Sequence, residues 1–370
     1  MDDDLDDLDD LRVLLPGARL AHLEQLGGSN RSVVRRVSAD AGTLIVKRFV
    51  SSDEGWVRES AALSVLPPGA PAPRLVAASG TAPVVVMTDL GTGTSVADAL
   101  LGDDASVAAE AVVSWATAVA TLHRVTAGSR EAFRVALRAR SGELPVAEST
   151  AATDLDDAGR IVAECCAQLG VEVPAGALAE LHGLADRLGG DASAALTPAD
   201  ACPDNNVRVA DGLALIDFEG AQWRHVAWDV AYLLVPWASC WCAWRIPDEV
   251  AQRGIAAYRD ALGWAYPDTA GFRDDVAAAA VGWALISTSW FLRRALVDDT
   301  PIGSPDHPAP SRRATIQHRL DGARRGTVLP ALAELAGRLY KALAARWGET
   351  ALAYAPAFAP DVTARTPDAS

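Results

Sequence analysis

The sequence is poor in basic residues, and this shortage excludes one class of partner. Its 370 residues include 33 lysines and arginines against 48 aspartates and glutamates, which gives a formal charge of −15. A protein that binds nucleic acid through phosphates needs a basic surface that displaces counterions. We therefore expect no nucleic-acid partner, and a neutral or cationic ligand fits the charge better.

The sequence also lacks the cysteine patterns of zinc sites and disulfide frameworks. The five cysteines form an odd set without C-x-x-C spacing or a nearby histidine cluster: Cys165, Cys166, Cys202, Cys240 and Cys242. The first residues have neither the basic nor the apolar region of a signal peptide. We therefore predict a cytoplasmic protein with reduced thiols.

No apolar run is long enough for a clear membrane span. The most apolar stretch covers residues 276–292, is slightly shorter than the roughly 20 residues that a span needs, and contains Ser287, Thr288 and Ser289. We interpret it as a buried core helix and expect no membrane partner. Seven aspartates within the first ten residues indicate that residues 1–11 form an acidic, disordered tail.

Half of the residues are hydrophobic, which is typical of a globular protein with a large core. After a short alternating segment, a Gly27-Gly28-Ser29-Asn30 turn leads into further apolar strands, and Asp53 begins a helix that runs to about Leu66. A buried strand then ends near Asp89. Residues 12–90 therefore predict a small mixed lobe.

The rest of the chain, residues 91–353, is predicted to form a larger and mostly helical lobe. Within it, Asn206–Val209 and Leu213–Asp217 predict a hairpin, with Asp200 and Asn205 before it. The Ala- and Pro-rich segment 354–370 is predicted to be disordered.

Only two residues are lysines, Lys47 and Lys341, and Lys47 lies inside an apolar strand. In an arginine-rich background such a lysine needs a chemical reason, because lysine provides a compact, titratable cation. Around the hairpin, Asp200, Asn205 and Asp217 bring together two acids and an amide. Phosphoryl transfer needs this set, an acid near the attacking hydroxyl and oxygen ligands for magnesium. A loop whose Asp and Asn residues only form turns is the competing interpretation.

The order of these parts resembles the aminoglycoside phosphotransferase family, which has a protein-kinase-like fold. The family motif H-G-D-x-x-P-x-N corresponds to residues 198–205, and I-D-[WF]-E corresponds to residues 216–219. Residues 58–66 and 73–75 match the family's R-E-x-x-x-L and v-P-r-v elements, while residues 228–233 are similar to the family's D-x-A-x-D-L-A helix. The resemblance implies an α+β, bilobal kinase with a β-rich N-terminal lobe.

The resemblance also implies a role for each candidate residue. Lys47 would hold the nucleotide phosphates and pair with Glu59, although Glu54, one turn earlier, is a rival partner. Asp200 would orient or deprotonate the acceptor hydroxyl, and Asn205 and Asp217 would bind Mg²⁺. The nucleotide, ATP or GTP, would also contact Gly27, Gly28, Ser29, Asn30 and Asp89.

One position departs from the family pattern, because Pro198-Ala199 stands where the family has His-Gly. We expect an ATP- or GTP-dependent kinase that phosphorylates a hydroxyl of a small molecule, such as an antibiotic or specialised metabolite. A Ser/Thr kinase acting on a biosynthetic peptide and a nucleotide-binding scaffold without turnover are the alternatives. Eight of eleven tryptophans lie between Trp223 and Trp290, and they predict core packing or an aromatic wall for the acceptor.

Overall fold

The computed structural model describes residues 11–28, 31–40, 42–189, 191–301 and 308–359. Over these residues, an antiparallel five-stranded sheet forms the N-terminal lobe, in the order β1-β2-β3-β5-β4. The strands are β1 Ala21–Gly28, β2 Ser32–Ala39, β3 Gly42–Phe49, β4 Leu75–Ser79 and β5 Val84–Thr88. The predicted strands are confirmed, whereas β4 is a strand that the sequence analysis did not predict.

One helix, α1 Glu54–Val65, packs beside the sheet. It begins as predicted at Asp53, whose carboxylate accepts a hydrogen bond from the backbone N–H of Trp56 at 3.1 Å. Arg58 joins this helix to the C-terminal lobe, because its guanidinium donates to the backbone oxygens of Ala221 at 2.7 Å and Ala147 at 2.9 Å.

The C-terminal lobe is mostly helical, as predicted. Its helices are α2 Val96–Leu101, α3 Ala105–Thr126, α4 Arg130–Ser141, α5 Ala151–Leu169, α6 Ala177–Arg187, α7 Ala227–Val230, α8 Asp248–Leu262, α9 Ala270–Val297, α10 Arg312–Ala323 and α11 Pro330–Trp347. Two short antiparallel pairs lie among them: β6 Ala194–Thr197 with β9 Gln222–His225, and β7 Asn206–Val209 with β8 Gly212–Leu215.

The core of this lobe is aromatic. Trp115, Trp228 and Trp237 are among the largest fully buried side chains. Core packing is thus confirmed for several tryptophans of the 223–290 cluster, although Trp290 is 46% exposed. Helices α3 and α9 are long and apolar enough to cross a membrane by length and composition, but 56% and 72% of their most apolar windows are buried inside the protein.

Each predicted tail includes residues that the structure shows packed on the protein. Leu11, assigned to the acidic tail, is buried against β-sheet residues of the N-terminal lobe. Residues 354–359, assigned to the disordered end, lie on the C-terminal lobe. There the backbone N–H of Ala355 donates to the backbone oxygen of Arg245 at 2.8 Å. The predicted limits of the tails are therefore wrong for Leu11 and for residues 354–359, since apolar side chains of both segments pack against a hydrophobic core. Residues 1–10 and 360–370 lie outside the described residues.

Candidate active site

A cleft of about 390 Å³ lies between the two lobes. The sheet contributes residues of β1, β2, β3 and β5. The C-terminal lobe contributes Asn205, Val207, Ile216, Asp217 and Glu219. Of the residues predicted from the sequence, the cleft is lined by Lys47, Glu59, Asp89, Asn205 and Asp217. Residues 170 positions apart in the chain thus meet in one cavity of the size that holds a small ligand.

Lys47 is the centre of the charged cluster in this cleft. It lies on β3 with 7% of its side chain exposed, and its Nζ is 2.6 Å from Glu59 Oε2, 2.6 Å from Asp217 Oδ1 and 3.1 Å from Glu219 Oε2. Burial alone would lower the pKa of Lys47, but the three carboxylates raise it above its ordinary value. The ammonium group is therefore charged at neutral pH.

The structure decides between the two glutamates of α1. Glu59, with 1% of its side chain exposed, reaches Lys47, whereas Glu54 accepts hydrogen bonds from Arg58 Nε and Nη2 one turn later. Burial raises the pKa of Glu59, and the neighbouring carboxylates of Asp217 and Glu219 raise it further. The predicted Lys47–Glu59 pair is present, and Glu54 pairs instead with Arg58, whose side chain is buried.

Glu219 is a member of this cluster that the sequence analysis did not assign to the site. Its Oε2 faces Lys47, and its Oε1 is 2.5 Å from Nη2 of Arg31, which begins the chain leading into β2. The signal that would have identified it is its position two residues after Asp217. Both acids belong to the I-D-[WF]-E pattern of residues 216–219.

The cluster fits a divalent cation. The carboxylates of Glu59, Asp217 and Glu219 lie within 4.8 Å of one another, so three acids outnumber the single ammonium group between them. Carboxylate and amide oxygens are the ligands that Mg²⁺ prefers. Asn205 offers such an oxygen, because its Nδ2 is already committed to the backbone oxygen of Asp200 at 2.8 Å. Asn205 and Asp217 both line the cleft, as the predicted magnesium ligands should.

The predicted glycine-rich turn is partly visible. Gly27 and Gly28 end β1 and pair with Val34 and Val33 of β2, while Ser29 and Asn30 lie outside the described residues. Leu26 and Arg31, on either side of this turn, line the cleft. The hairpin therefore covers one wall of the cavity.

Asp89 lines the cleft where the sheet leads into the C-terminal lobe. Its carboxylate already has partners, because Arg36 Nε donates to it at 2.6 Å and the backbone N–H of Gly91 at 2.9 Å. Burial would raise the pKa of Asp89, but these hydrogen bonds hold it below its ordinary value. These hydrogen bonds hold Asp89 in place at the connection between the two lobes.

Asp200 follows β6 and, unlike the other predicted residues that the structure brings to the cleft, is not among its lining residues. Ser239 Oγ donates to its Oδ1 at 2.6 Å, and Tyr232 OH contacts Ser239 Oγ at 2.8 Å. Burial raises the pKa of Asp200 to about 6, although the hydrogen bond from Ser239 lowers it. A carboxylate with this pKa is ionised at neutral pH and can accept a proton, as a general base must. Ser239 and Tyr232 are contacts that the sequence motifs did not indicate.

Two of the cysteines contradict the expectation of reduced thiols. Cys202, within the loop that carries Asp200, and Cys240, next to Ser239, form a disulfide with a Cα–Cα distance of 5.9 Å. The sequence did not reveal this pair, because 38 residues separate the two cysteines and only the fold brings them together. The disulfide holds the segment that carries Ser239 against the loop that carries Asp200.

Two buried side chains hold the backbone of the loop that carries Asp200. The backbone oxygen of Ala199 accepts hydrogen bonds from Arg224 Nη2 at 3.2 Å and from Tyr232 OH at 3.2 Å. Arg224 in turn contacts the carboxylate of Asp229, which is also 3.0 Å from His123 Nε2. This buried network anchors the loop through the backbone of Ala199.

Ala199 occupies the position where the family motif has glycine, and its φ of 60° explains the preference for glycine there. A left-handed conformation costs a residue with a Cβ roughly 1–2 kcal/mol. The chain accepts this strain next to Asp200, which is common at functional sites.

Comparison with known proteins gives a consistent result. The chain matches a family model described as the phosphotransferase enzyme family over residues 22–272. A search of curated proteins returned no significant match.

Three solved structures illustrate the likeness in fold. One is a protein of Ralstonia eutropha JMP134 provisionally described as an aminoglycoside phosphotransferase, which is 14% identical with a TM-score of 0.50 and covers 91% of this chain and 98% of its own. A choline/ethanolamine kinase family protein from Mesorhizobium loti is 18% identical, with a TM-score of 0.49. The match covers 91% of this chain and 98% of the Mesorhizobium chain. Choline kinase LicA from Streptococcus pneumoniae is 14% identical, with a TM-score of 0.49. The match covers 90% of this chain and 100% of LicA. At such identities the likeness bears on the fold alone.

Proposed function

The chain belongs to the phosphotransferase enzyme family, and from this premise we propose that it transfers the γ-phosphate of ATP or GTP to a hydroxyl group of a small molecule, with Mg²⁺ as cofactor. The reaction joins the acceptor oxygen to the γ-phosphorus and breaks the bond to the β-phosphate oxygen. Its products are a phosphate ester, the nucleoside diphosphate and the proton of the acceptor hydroxyl.

The observation that carries this proposal is the position of Lys47 among Glu59, Asp217 and Glu219 in the cleft between the lobes. Catalysis of phosphoryl transfer depends on positioning and on stabilising the charge of the phosphates. A fully charged lysine held by a buried glutamate supplies a fixed cation for those phosphates. The pair with Glu59 also prevents Lys47 from moving out of the cleft.

The oxygen donors favour magnesium at the same end of the cleft. Asn205 and Asp217 would hold the ion, and Glu219 lies close enough to add negative charge. Bound Mg²⁺ neutralises negative charge on the phosphates. Asp217 has two oxygens, of which only Oδ1 contacts Lys47, so the second oxygen stays available to the ion.

Asp200 is proposed to orient the acceptor hydroxyl and to receive its proton. Its pKa of about 6 leaves the carboxylate ionised at neutral pH, and Ser239 restricts its orientation through Oδ1. The anchoring of Ala199 by Arg224 and Tyr232 favours a working loop over a scaffold without turnover. We keep Gly27, Gly28 and Asp89 as proposed neighbours of the nucleotide, and a cytoplasmic location as a prediction.

The acceptor can be found by screening. We propose incubating the protein with γ-labelled ATP or GTP, magnesium and a panel of amino alcohols, aminoglycosides, other hydroxylated metabolites and Ser/Thr peptides. Transfer of label to a small molecule supports the proposal, and transfer to a peptide alone would favour the peptide-kinase alternative. Asp200→Asn is the matched control, because it preserves shape and nucleotide contacts but removes the proton acceptor. If the wild type binds MgATP and transfers label to nothing, the proposal fails in favour of the scaffold.

A further inference from the structure

Arg31 joins the two lobes across the end of the cleft that holds Lys47. It directly precedes β2 of the N-terminal lobe, and its Nη2 lies 2.5 Å from Oε1 of Glu219 in the C-terminal lobe. The other oxygen of Glu219, Oε2, lies 3.1 Å from Nζ of Lys47. All three residues line the cleft, so one carboxylate holds two cations that the N-terminal lobe provides.

Among the described residues, three cations line the cleft, and they differ in how firmly they are held. Lys47 is 7% exposed and lies among three carboxylates. Arg36 is 12% exposed and pairs with Asp89 at 2.6 Å and with Glu24 at 2.9 Å. Arg31, in contrast, is 64% exposed. An exposed ion pair contributes little to stability, so Arg31 is the cation that can change its partner at the least cost.

The phosphates of a bound nucleotide would need such a cation. Catalysis of phosphoryl transfer depends on stabilising the charge of the phosphates. Lys47 supplies only part of this stabilisation, because three carboxylates already share its charge. An arginine can donate two parallel hydrogen bonds to phosphate oxygens. Arg31 suits the terminal phosphate, because its partner Glu219 follows the proposed magnesium ligand Asp217 by two residues.

Glu219 has other partners when Arg31 leaves it. Its Oε2 stays beside Lys47, and its carboxylate lies within 4.8 Å of that of Asp217. A divalent cation held by Asp217 would therefore also attract Glu219 and weaken its attraction for Arg31. Metal binding and the release of Arg31 thus favour each other.

We propose that Arg31 is a further phosphate-binding residue, which exchanges Glu219 for the terminal phosphate when the magnesium nucleotide binds. Arg31 thereby extends the nucleotide site described under the proposed function, on which this proposal rests. Because the contact is to the terminal phosphate, Arg31 makes the cleft bind a nucleoside triphosphate more tightly than the corresponding diphosphate.

Two variants and one control test the role of Arg31. Arg31→Met removes the guanidinium at similar length, and Arg31→Lys keeps a charge but loses the paired donors. Arg19→Met is the matched control, because Arg19 is also an exposed arginine of the N-terminal lobe but is not among the residues that line the cleft. Since both arginines are exposed, all three variants should melt close to the wild type without nucleotide.

The measurement is calorimetry with MgATP and MgADP, and with MgGTP and MgGDP, at constant ionic strength and without an acceptor. Arg31→Met should weaken triphosphate binding by roughly tenfold or more, as for loss of a hydrogen bond to a charged group. Its affinity for the diphosphate should change little. Arg31→Lys should recover part of the loss, and Arg19→Met should bind both nucleotides as the wild type does.

The comparison of triphosphate with diphosphate separates phosphate binding from a purely structural bridge. A residue that only joined the lobes would affect both nucleotides equally, so equal losses overturn the proposal. Wild-type affinity of Arg31→Met for the triphosphate also overturns it, while the proposed function stands. If the wild type binds none of the four nucleotides, the proposed function fails as well. If Arg31→Met does not fold, the ratio of the two Kd values for Arg31→Lys decides in the same way.

Discussion

Ser239 offers a sharp test of the proposal that Asp200 orients the acceptor hydroxyl and receives its proton. Its Oγ donates to Asp200 Oδ1 at 2.6 Å and itself contacts Tyr232 OH at 2.8 Å. Ser239→Ala removes one hydroxyl and leaves the carboxylate with one partner fewer. The substitution is small, so we expect the fold and the nucleotide cleft to be retained.

The expected effect follows from the charge of the acceptor group. A hydrogen bond to an ionised partner contributes about 1.5–3 kcal/mol, and each 1.4 kcal/mol corresponds to about a tenfold change in rate. If all of this contribution serves to orient Asp200, kcat falls by roughly 10- to 100-fold. Asp200→Asn should cost more, about 10²–10⁴-fold, because it removes the proton acceptor itself.

The assay compares kcat with nucleotide affinity, using the acceptor that gives the highest turnover. Ser239→Ala should lower kcat and leave the Kd for MgATP unchanged, while Ser239→Thr, which keeps a hydroxyl, should restore part of the rate. Ser287→Ala is the matched control. It also deletes a buried hydroxyl, but one that donates to the backbone oxygen of Trp283 within α9.

The pH profile gives an independent result. The hydrogen bond from Ser239 lowers the pKa of Asp200, so its loss should move the acidic limb of kcat to higher pH. If Ser239→Ala keeps the wild-type kcat and the wild-type pH profile, Ser239 does not orient Asp200. If Ser287→Ala loses as much activity as Ser239→Ala, the effect is one of stability and the assignment is wrong.

Three further outcomes follow from the structure. The wild-type kcat should fall as the pH drops through about 6, since Asp200 accepts a proton only when it is ionised. A kcat that stays constant down to pH 5 would exclude Asp200 as the base. Lys47→Ala should raise the KM for ATP and lower kcat. Lys341 is an exposed lysine on α11, so Lys341→Ala should change neither constant. If the two variants change KM and kcat equally, Lys47 does not belong to the site. The Cys202–Cys240 disulfide spans 38 residues, so its reduction should lower the free energy of unfolding by about 4 kcal/mol in denaturant titrations. Identical unfolding curves for the oxidised and reduced protein would show that the disulfide does not stabilise the fold.

The sequence by itself determined the elements whose signals are local. Alternating apolar residues and the Asp53 cap fixed the strands and the first helix of the N-terminal lobe, because strand and cap preferences depend on near neighbours in the chain. The order of Lys47, Glu59, Asp200, Asn205 and Asp217 resembles that of the aminoglycoside phosphotransferase family, and this resemblance implied the kinase-like fold. Short motifs carry this information because the chemistry demands particular residue types at particular spacings.

Only the tertiary structure decided which groups touch. The choice of Glu59 over Glu54, the inclusion of Glu219 and the pairing of Cys202 with Cys240 all depend on contacts between residues distant in sequence. Edge strand β4 also escaped prediction, since its few residues alternate weakly and it forms by pairing with β5.

The departure at Pro198 shows the difference most clearly. From the sequence, Pro198-Ala199 stands where the family has His-Gly, and no motif shows what holds the loop that carries Asp200. In the fold, Arg224 and Tyr232 reach the backbone oxygen of Ala199 from positions 25 and 33 residues away. A backbone oxygen is present whatever the side chain, so no sequence motif could indicate this support. It depends on the packing of a buried arginine and a buried tyrosine against the loop.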